Sequence, residues 1–537
     1  MPRSRRLPLL LLLTLALFVS LWQLIRDEAG ITRESFQVGA SPVTVYRLQG
    51  VGPAPVVVVA HGFAGSRRLM EPLALALAGR GYVTVMYDFM GHGRHPLPMR
   101  GDLQEAEGTG AFLREQTAEV ADFALELPGV DGRLAVVGHS MATDILVRYA
   151  QRDPRVEALV GISMFAPTLD ATSPRNVLAV MGALEGRLEA EGRRVVAMVA
   201  EVDPAGVEPF TTYGDPEAGT ARRLAVAPRV EHVGVLYSAT TLDETVGWMD
   251  EVFGGGNGPA GIDGTAGGAA GGGGGTAPVR AHGRGLWIAL LMSSVFLLAR
   301  PLARRLPRVS EQPRGADASW RRLLLVGGIP PLLTPFLLRP LPTGFLPVVV
   351  ADYVAVHFLT VGLLAAALLW WTGGRPGVAQ LLERGGLRGR GGARVAVGAG
   401  LMVAFFLLFM AWPLDRFFTS FFPGPERLPL LLAVLVGTLP YFLADEWLTR
   451  GSEARRGAYP FTKFVFLVSL GMAVALDFDG LFFLVIIVPV ILVFFVVHGL
   501  FSRWIYRSTG SPLVAGLGNA VAFAWALAVT FPMYAGG

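Results

Sequence analysis

The sequence predicts two structural classes in one chain: a mostly parallel α/β sheet with helices on both faces, then a polytopic all-α transmembrane domain. Three observations predict this. Only 16% of the 537 residues are charged while 52% are hydrophobic, and mean hydropathy is +0.49; soluble domains carry about 25% charged residues. Within residues 31–253, short apolar runs alternate with helical patterns, the signature of a parallel α/β sheet. Beyond residue 285, long apolar runs follow one another to the end of the chain.

The first element is apolar. Arg3, Arg5 and Arg6 precede a run from Leu7 to Ile25 that is about long enough to cross a bilayer. No small-residue cleavage motif follows, so residues 1–30 are expected to be an uncleaved signal anchor. Residues 31–253 are expected to form the sheet domain. Pro55 to Ala60 is an all-apolar strand running into His61-Gly62-Phe63. Tyr82 to Tyr87 is a second, ending at Asp88-Phe-Met-Gly91-His92-Gly93. Leu134 to Val137 is a third, followed by Gly138-His139-Ser140-Met141-Ala142 and a helical stretch, Thr143 to Ala150.

A serine on a tight strand-to-helix turn needs small flanking residues, and the helix behind it offers backbone N–H groups to a developing oxyanion. The usual spacing is G-x-S-x-G; Ala142 stands at the last position here. The pieces HGF (61–63), DFMGHG (88–93), GHSMA (138–142) and EHVGVLYS (231–238) together resemble the α/β-hydrolase superfamily over about residues 40–253. The resemblance implies a serine nucleophile at Ser140 and an oxyanion hole made by the N–H groups of Phe63 and Met141. The family's chain order is Ser, acid, His. Of the five histidines in 31–253, His61, His92 and His139 sit inside motifs and His95 follows closely, leaving His232 as the candidate after Ser140. The acid falls on Glu185, where an apolar strand from Asn176 ends in G-x-x-E, with Asp170 and Asp203 as alternatives.

The implied chemistry is acyl transfer from esters, lipids or amides by a Ser-His-acid relay, with no cofactor and no metal. About a dozen residues separate Met164 from Asn176, too few for a large cap, so Arg94 to Arg114 is the candidate for a small lid. The chain has no cysteine, which excludes disulfides, thiolate metal sites and a Cys nucleophile.

Residues 254–284 read as a flexible linker, because Gly254 to Gly275 holds 13 glycines in 22 residues. Residues 285–537 are expected to be a membrane domain of about eight helices, on apolar runs near 286–302, 323–338, 346–371, 395–413, 429–446, 461–476, 480–500 and 511–534. Alternate connections hold eighteen basic residues, among them Arg300, Arg314, Arg388, Arg455, Lys463 and Arg507, against Arg339, Arg416 and Arg427 in the other set. The positive-inside rule makes the rich set cytoplasmic. Together with the N-terminal arginines this places the chain in the cytoplasmic membrane with residues 31–253 outside. The net charge of +4 and pI near 9.5 are therefore topology, with membrane lipids and an acyl substrate as partners and no nucleic acid.

Ionisable residues inside spans are functional candidates. Asp445-Glu446-Trp-Leu-Thr-Arg450 resembles the E-E-x-x-x-R motif of the CAAX-protease and bacteriocin-processing family of intramembrane peptidases, and Tyr506 to Asn519 resembles its final segment. His498 fits an F-x-x-x-H pattern, while Asn519 stands where the family's last histidine would be. That resemblance implies a possible membrane-domain site at Asp445, Glu446, Arg450, His498 and Asn519. The leading expectation is a membrane-anchored serine hydrolase, the alternatives being such a peptidase with an accessory hydrolase, or a transporter or scaffold that only binds.

Overall fold

The computed structural model describes residues 3–103, 105, 107–255, 279–341 and 344–535. Contacts divide the chain into a sheet unit (Thr14–Leu291 with Leu414–Ser420) and a helical unit (Met292–Pro413 and Phe421–Ala535 with Met1–Leu13). The glycine-rich part of the expected linker, residues 256–278, lies outside the described residues.

The part of helix α1 (Arg3–Arg26) from Thr14 onward belongs to the sheet unit and leads, among the described residues, into nine strands: β1 (Ile31–Val38), β2 (Ser41–Leu48), β3 (Ala54–Ala60), β4 (Val83–Tyr87), β5 (Val130–His139), β6 (Val156–Ile162), β7 (Val177–Gly182), β8 (Thr212–Tyr213) and β9 (Arg222–Ala227). Their order is β1-β2-β4-β3-β5-β6-β7-β9-β8. The strands from β4 to β9 in that order pair in parallel, and β1, β2 and β8 add antiparallel edges.

Helices α2 (Glu71–Gly79) and α6 (Ala239–Phe253) cover one face, and α3 (Thr109–Leu125), α4 (Met141–Ala150) and α5 (Gly186–Ala200) the other. Val56 and Val58 of β3 pack into one core, Val57 and Val59 into the other, all fully buried. Burial on both sides is why the strand reads as an unbroken apolar run. Each such valine contributes about 1.5 kcal/mol or more by leaving water.

Glu71, buried at the start of α2, accepts hydrogen bonds from Tyr46 Oη at 2.8 Å and Arg284 Nη2 at 2.7 Å. A buried carboxylate needs such partners. The segment Leu414–Ser420 belongs to this unit, with Arg94 Nη2 bonded to Asp415 Oδ1 at 2.8 Å and Ser420 N–H to Ser66 Oγ at 2.9 Å.

Among the described residues nine helices are long and apolar enough to cross a membrane: Leu7–Arg26, Arg284–Ala303, Trp320–Leu338, Ala351–Thr372, Arg390–Phe417, Pro425–Thr449, Ala458–Leu476, Phe483–Thr509 and Pro512–Thr530. Each overlaps one apolar run of the sequence, and the chain reads as a multi-pass membrane protein. Helices Ala351–Thr372 and Pro425–Thr449 cross where a Cβ on Gly437 would stand 2.2 Å from Ala355 O, so only glycine allows that approach. One element of the charge count needs correction. Lys463 is not a connection residue: it lies within helix Ala458–Leu476, buried and ion-paired with Asp445, because a cation at that depth needs a carboxylate beside it.

Candidate active site

Strand β5 delivers Ser140 to the middle of the parallel sheet. Its backbone there is at φ 54 and ψ −120, outside the usual regions for a non-glycine residue. The strain is held from both sides. Ser140 N–H donates to Ile162 O at 2.9 Å, and helix α4 begins at the next residue. A Cβ on Gly138 would come within 2.7 Å of Leu146 Cδ1, so that position admits no side chain, whereas Ala142 fits fully buried. This explains why the elbow tolerates G-x-S-x-A.

His232 reaches Ser140 from the loop after β9. Its Nε2 lies 2.8 Å from Ser140 Oγ, and its Nδ1 lies 2.5 Å from Glu185 Oε1. With the carboxylate accepting the Nδ1 proton, Nε2 is left to accept from the serine hydroxyl. The His232 side chain is 44% exposed while that of Glu185 is 5% exposed, so the imidazole is open to solvent and the carboxylate is buried. Burial alone would raise the Glu185 pKa. Hydrogen bonds from His232, from Gly182 N–H at 2.8 Å and from Ser163 Oγ at 2.8 Å outweigh it and hold the carboxyl below its ordinary value.

The alternatives for the acid are engaged elsewhere. Asp170 Oδ1 accepts from Thr172 N, Thr172 Oγ1 and Ser173 N, closing a turn. Asp203 opens the short helix Pro204–Gly206 on the exposed surface. The remaining histidines have structural posts. His61 takes Phe89 N–H on Nε2 at 3.0 Å, and His92 and His95 bond the carbonyls of Met90 and Leu97. His139 Nε2 donates to His232 O at 2.8 Å and so fixes the loop that carries the imidazole. Neither that contact nor Ser163 was visible in the sequence, because both bridge separate strand ends.

The HGF turn leaves β3 beside β5, and a Cβ on Gly62 would stand 3.0 Å from Ser140 Cβ. Phe63 therefore follows a turn lying directly against the serine, and Met141 opens α4 on its other side. Helix N-termini present N–H groups without intrahelical partners, suited to an anion. The expected small lid takes another form: Thr109 to Arg114 is the first turn and a half of α3, and the loop before it is pinned by Glu107 to Arg114 at 2.8 Å. Residues 104 and 106 of that stretch lie outside the described ones.

In the helical unit the residues singled out form two groups. Glu446 Oε2 accepts from Arg450 Nε at 3.0 Å, and Asp445 Oδ1 from Thr462 Oγ1 at 2.7 Å. His498 Nδ1 meets Asn519 Oδ1 at 3.0 Å. Among the described residues no group of three or more His, Cys, Asp or Glu side chains is arranged to hold a metal ion.

Residues 52–199 match the family model described as serine aminopeptidase, S33. No curated protein matches the chain. Solved structures similar to it include an epoxide hydrolase from Vigna radiata, at 24% identity, covering 27% of this chain and 41% of that one, with a TM-score of 0.21. A dienelactone hydrolase from Anabaena variabilis matches at 17% identity, covering 41% of this chain and 97% of that one, with a TM-score of 0.30. The chain thus spans less than half the length of the epoxide hydrolase it matches. The parallel sheet with its serine elbow after β5, taken with the family match over residues 52–199, gives the sheet unit an α/β-hydrolase fold.

Proposed function

We propose that the protein is a membrane-anchored serine hydrolase that cleaves carboxylic esters through an acyl-enzyme. His232 Nε2 takes the hydroxyl proton as Ser140 Oγ attacks the carbonyl carbon. The oxyanion is met by the N–H groups of Phe63 and Met141. Collapse expels the alcohol, which leaves with the proton from His232, and water then repeats the sequence to free the acid. Glu185 keeps the imidazole in the tautomer that presents Nε2 and stabilises its cation. The observation that carries this reading is the unbroken relay Glu185–His232–Ser140, at 2.5 and 2.8 Å, ending on a serine with φ 54.

The matched family description names aminopeptidases, so amide cleavage is the second reading. Glu185 is committed to His232, whereas Asp144 in the first turn of α4 accepts from Arg148 Nε on Oδ2 at 2.8 Å and keeps a buried Oδ1 without a hydrogen-bond partner. The β6-to-β7 connection, residues 163–176, is too short to hold a large cap, which suits acyl chains.

The test uses the full chain in lipid nanodiscs, a fluorophosphonate probe, and p-nitrophenyl esters against aminoacyl p-nitroanilides. Ser140→Ala is expected to abolish labelling and to lower ester turnover by on the order of 10⁵–10⁶. Retained labelling would sink the nucleophile, and anilide turnover exceeding ester turnover would favour the aminopeptidase. We further propose that the sheet unit lies outside the cytoplasmic membrane, on the arginine asymmetry of the connections.

A further inference from the structure

The helical unit contains an apolar cavity of about 350 Å³. Helices Arg284–Ala303, Arg390–Phe417 and Phe483–Thr509 supply its walls, with Leu302, Met402, Phe405, Phe409 and Trp504 among the lining side chains. That size lies within the roughly 300–1,000 Å³ of small-molecule sites, which pair apolar walls with a few placed polar groups. One wall is the π-helical stretch Phe406–Ala411, a rare geometry that frequently marks functional positions.

His498 is the deeply placed polar group in this wall, only 2% exposed. Its Nδ1 faces Asn519 Oδ1 at 3.0 Å, and Asn519 Nδ2 donates to Ser502 Oγ at 2.7 Å. An amide oxygen only accepts, so Nδ1 carries the ring proton and Nε2 presents a lone pair. An acceptor in an apolar wall is stabilised by a donor brought in with the occupant. The occupant must be apolar along its length, to match the walls, and must carry an O–H or N–H. An ammonium is disfavoured by the walls and by the cationic Arg305, which also lines the cavity. A carboxylate has no proton to give.

We propose that this cavity binds a neutral lipid alcohol, its hydroxyl donating to His498 Nε2 and its alkyl chain lying against the Leu, Met and Phe walls. A single-chain alcohol and a diacylglycerol share this chemistry. The site is independent of the Ser140 chemistry.

The experiment uses the full chain in phosphatidylcholine nanodiscs and a photoreactive diazirine analogue of decanol, with labelled peptides mapped. Labelling is expected on the peptide that carries His498. Decanol should displace the probe about fivefold more effectively than decyl methyl ether, the weight of one hydrogen bond. Displacement by dioctanoylglycerol as well supports the site with a glycerolipid as its source; displacement by decanol but not by the glyceride supports it with a single-chain alcohol. His498→Phe should erase the alcohol-over-ether preference, and Ala404→Trp, which fills the cavity, should remove labelling altogether. Equal displacement by ether, alcohol and decanoate, or a preference that survives His498→Phe, overturns the proposal. If His498→Phe does not fold, the alcohol–ether comparison on the native chain decides alone. Fluorophosphonate labelling at Ser140 should be unchanged in both variants and serves as the folding control.

Discussion

At the scale of single residues, Glu185 illustrates how much geometry adds to pattern. Glu185 lies in a G-x-x-E stretch of a kind that many sequences contain, and what distinguishes it is three donors converging on one carboxylate. Glu185→Gln keeps the shape but can present an amide N–H to Nδ1, which favours the wrong imidazole tautomer. Ester turnover is expected to fall about 10⁴-fold while fluorophosphonate labelling slows, and steady-state kinetics with a thermal melt will separate this from unfolding. His139 carries a pH dependence. Burial, with the neighbouring His232 adding to it, pushes its pKa down to about 3. In the unfolded chain a histidine protonates near 6.5. Protons therefore favour the unfolded state below that value, so stability is full above about pH 6.5 and falls as pH drops toward 3, by at most about 1.4 kcal/mol per pH unit from this residue. Melting the Ser140→Ala protein across that range, with and without His139→Gln, measures the contribution; an unchanged slope would argue against it.

At the scale of elements, what could be read in advance was what is buried on both sides. Strands β3, β4, β5 and β7 announce themselves as apolar runs because both faces of the sheet are covered. The β1–β2 hairpin does not, since Ile31–Val38 (ITRESFQV) is an edge strand with exposed charged positions and resembles a loop in composition. The acid had three readings in sequence for a similar reason: strand ends are legible, but which of them converge depends on the order β5-β6-β7. The elbow also has a mechanical test. Gly138→Ala would drive a methyl group against Leu146 Cδ1 and the Ala142 backbone. We expect about 1–3 kcal/mol of destabilisation and a displaced Ser140, read as a lower thermal midpoint together with slower probe labelling.

At the scale of the whole molecule, the nine apolar helices among the described residues follow from hydropathy alone, whereas the state of each charge does not. Lys463 shows the limit: counted along the chain it opens a span, yet it is a buried partner of Asp445, and its removal leaves the arginine asymmetry intact. The absence of cysteine makes orientation directly measurable. A single cysteine introduced at exposed Phe210 should react with a membrane-impermeant maleimide on intact cells, and one at Arg388 should react only after lysis. The reverse pattern would place the hydrolase in the cytoplasm.

The backbone at Ser140 also limits what descent can do with this position. At φ 54 a second substituent on Cβ is crowded, so threonine, which keeps the hydroxyl, is as closed to it as valine. Alanine, glycine and cysteine remain conformationally open. Along any lineage the turn can therefore lose its hydroxyl or trade oxygen for sulfur, but it cannot drift through the one substitution that looks chemically conservative.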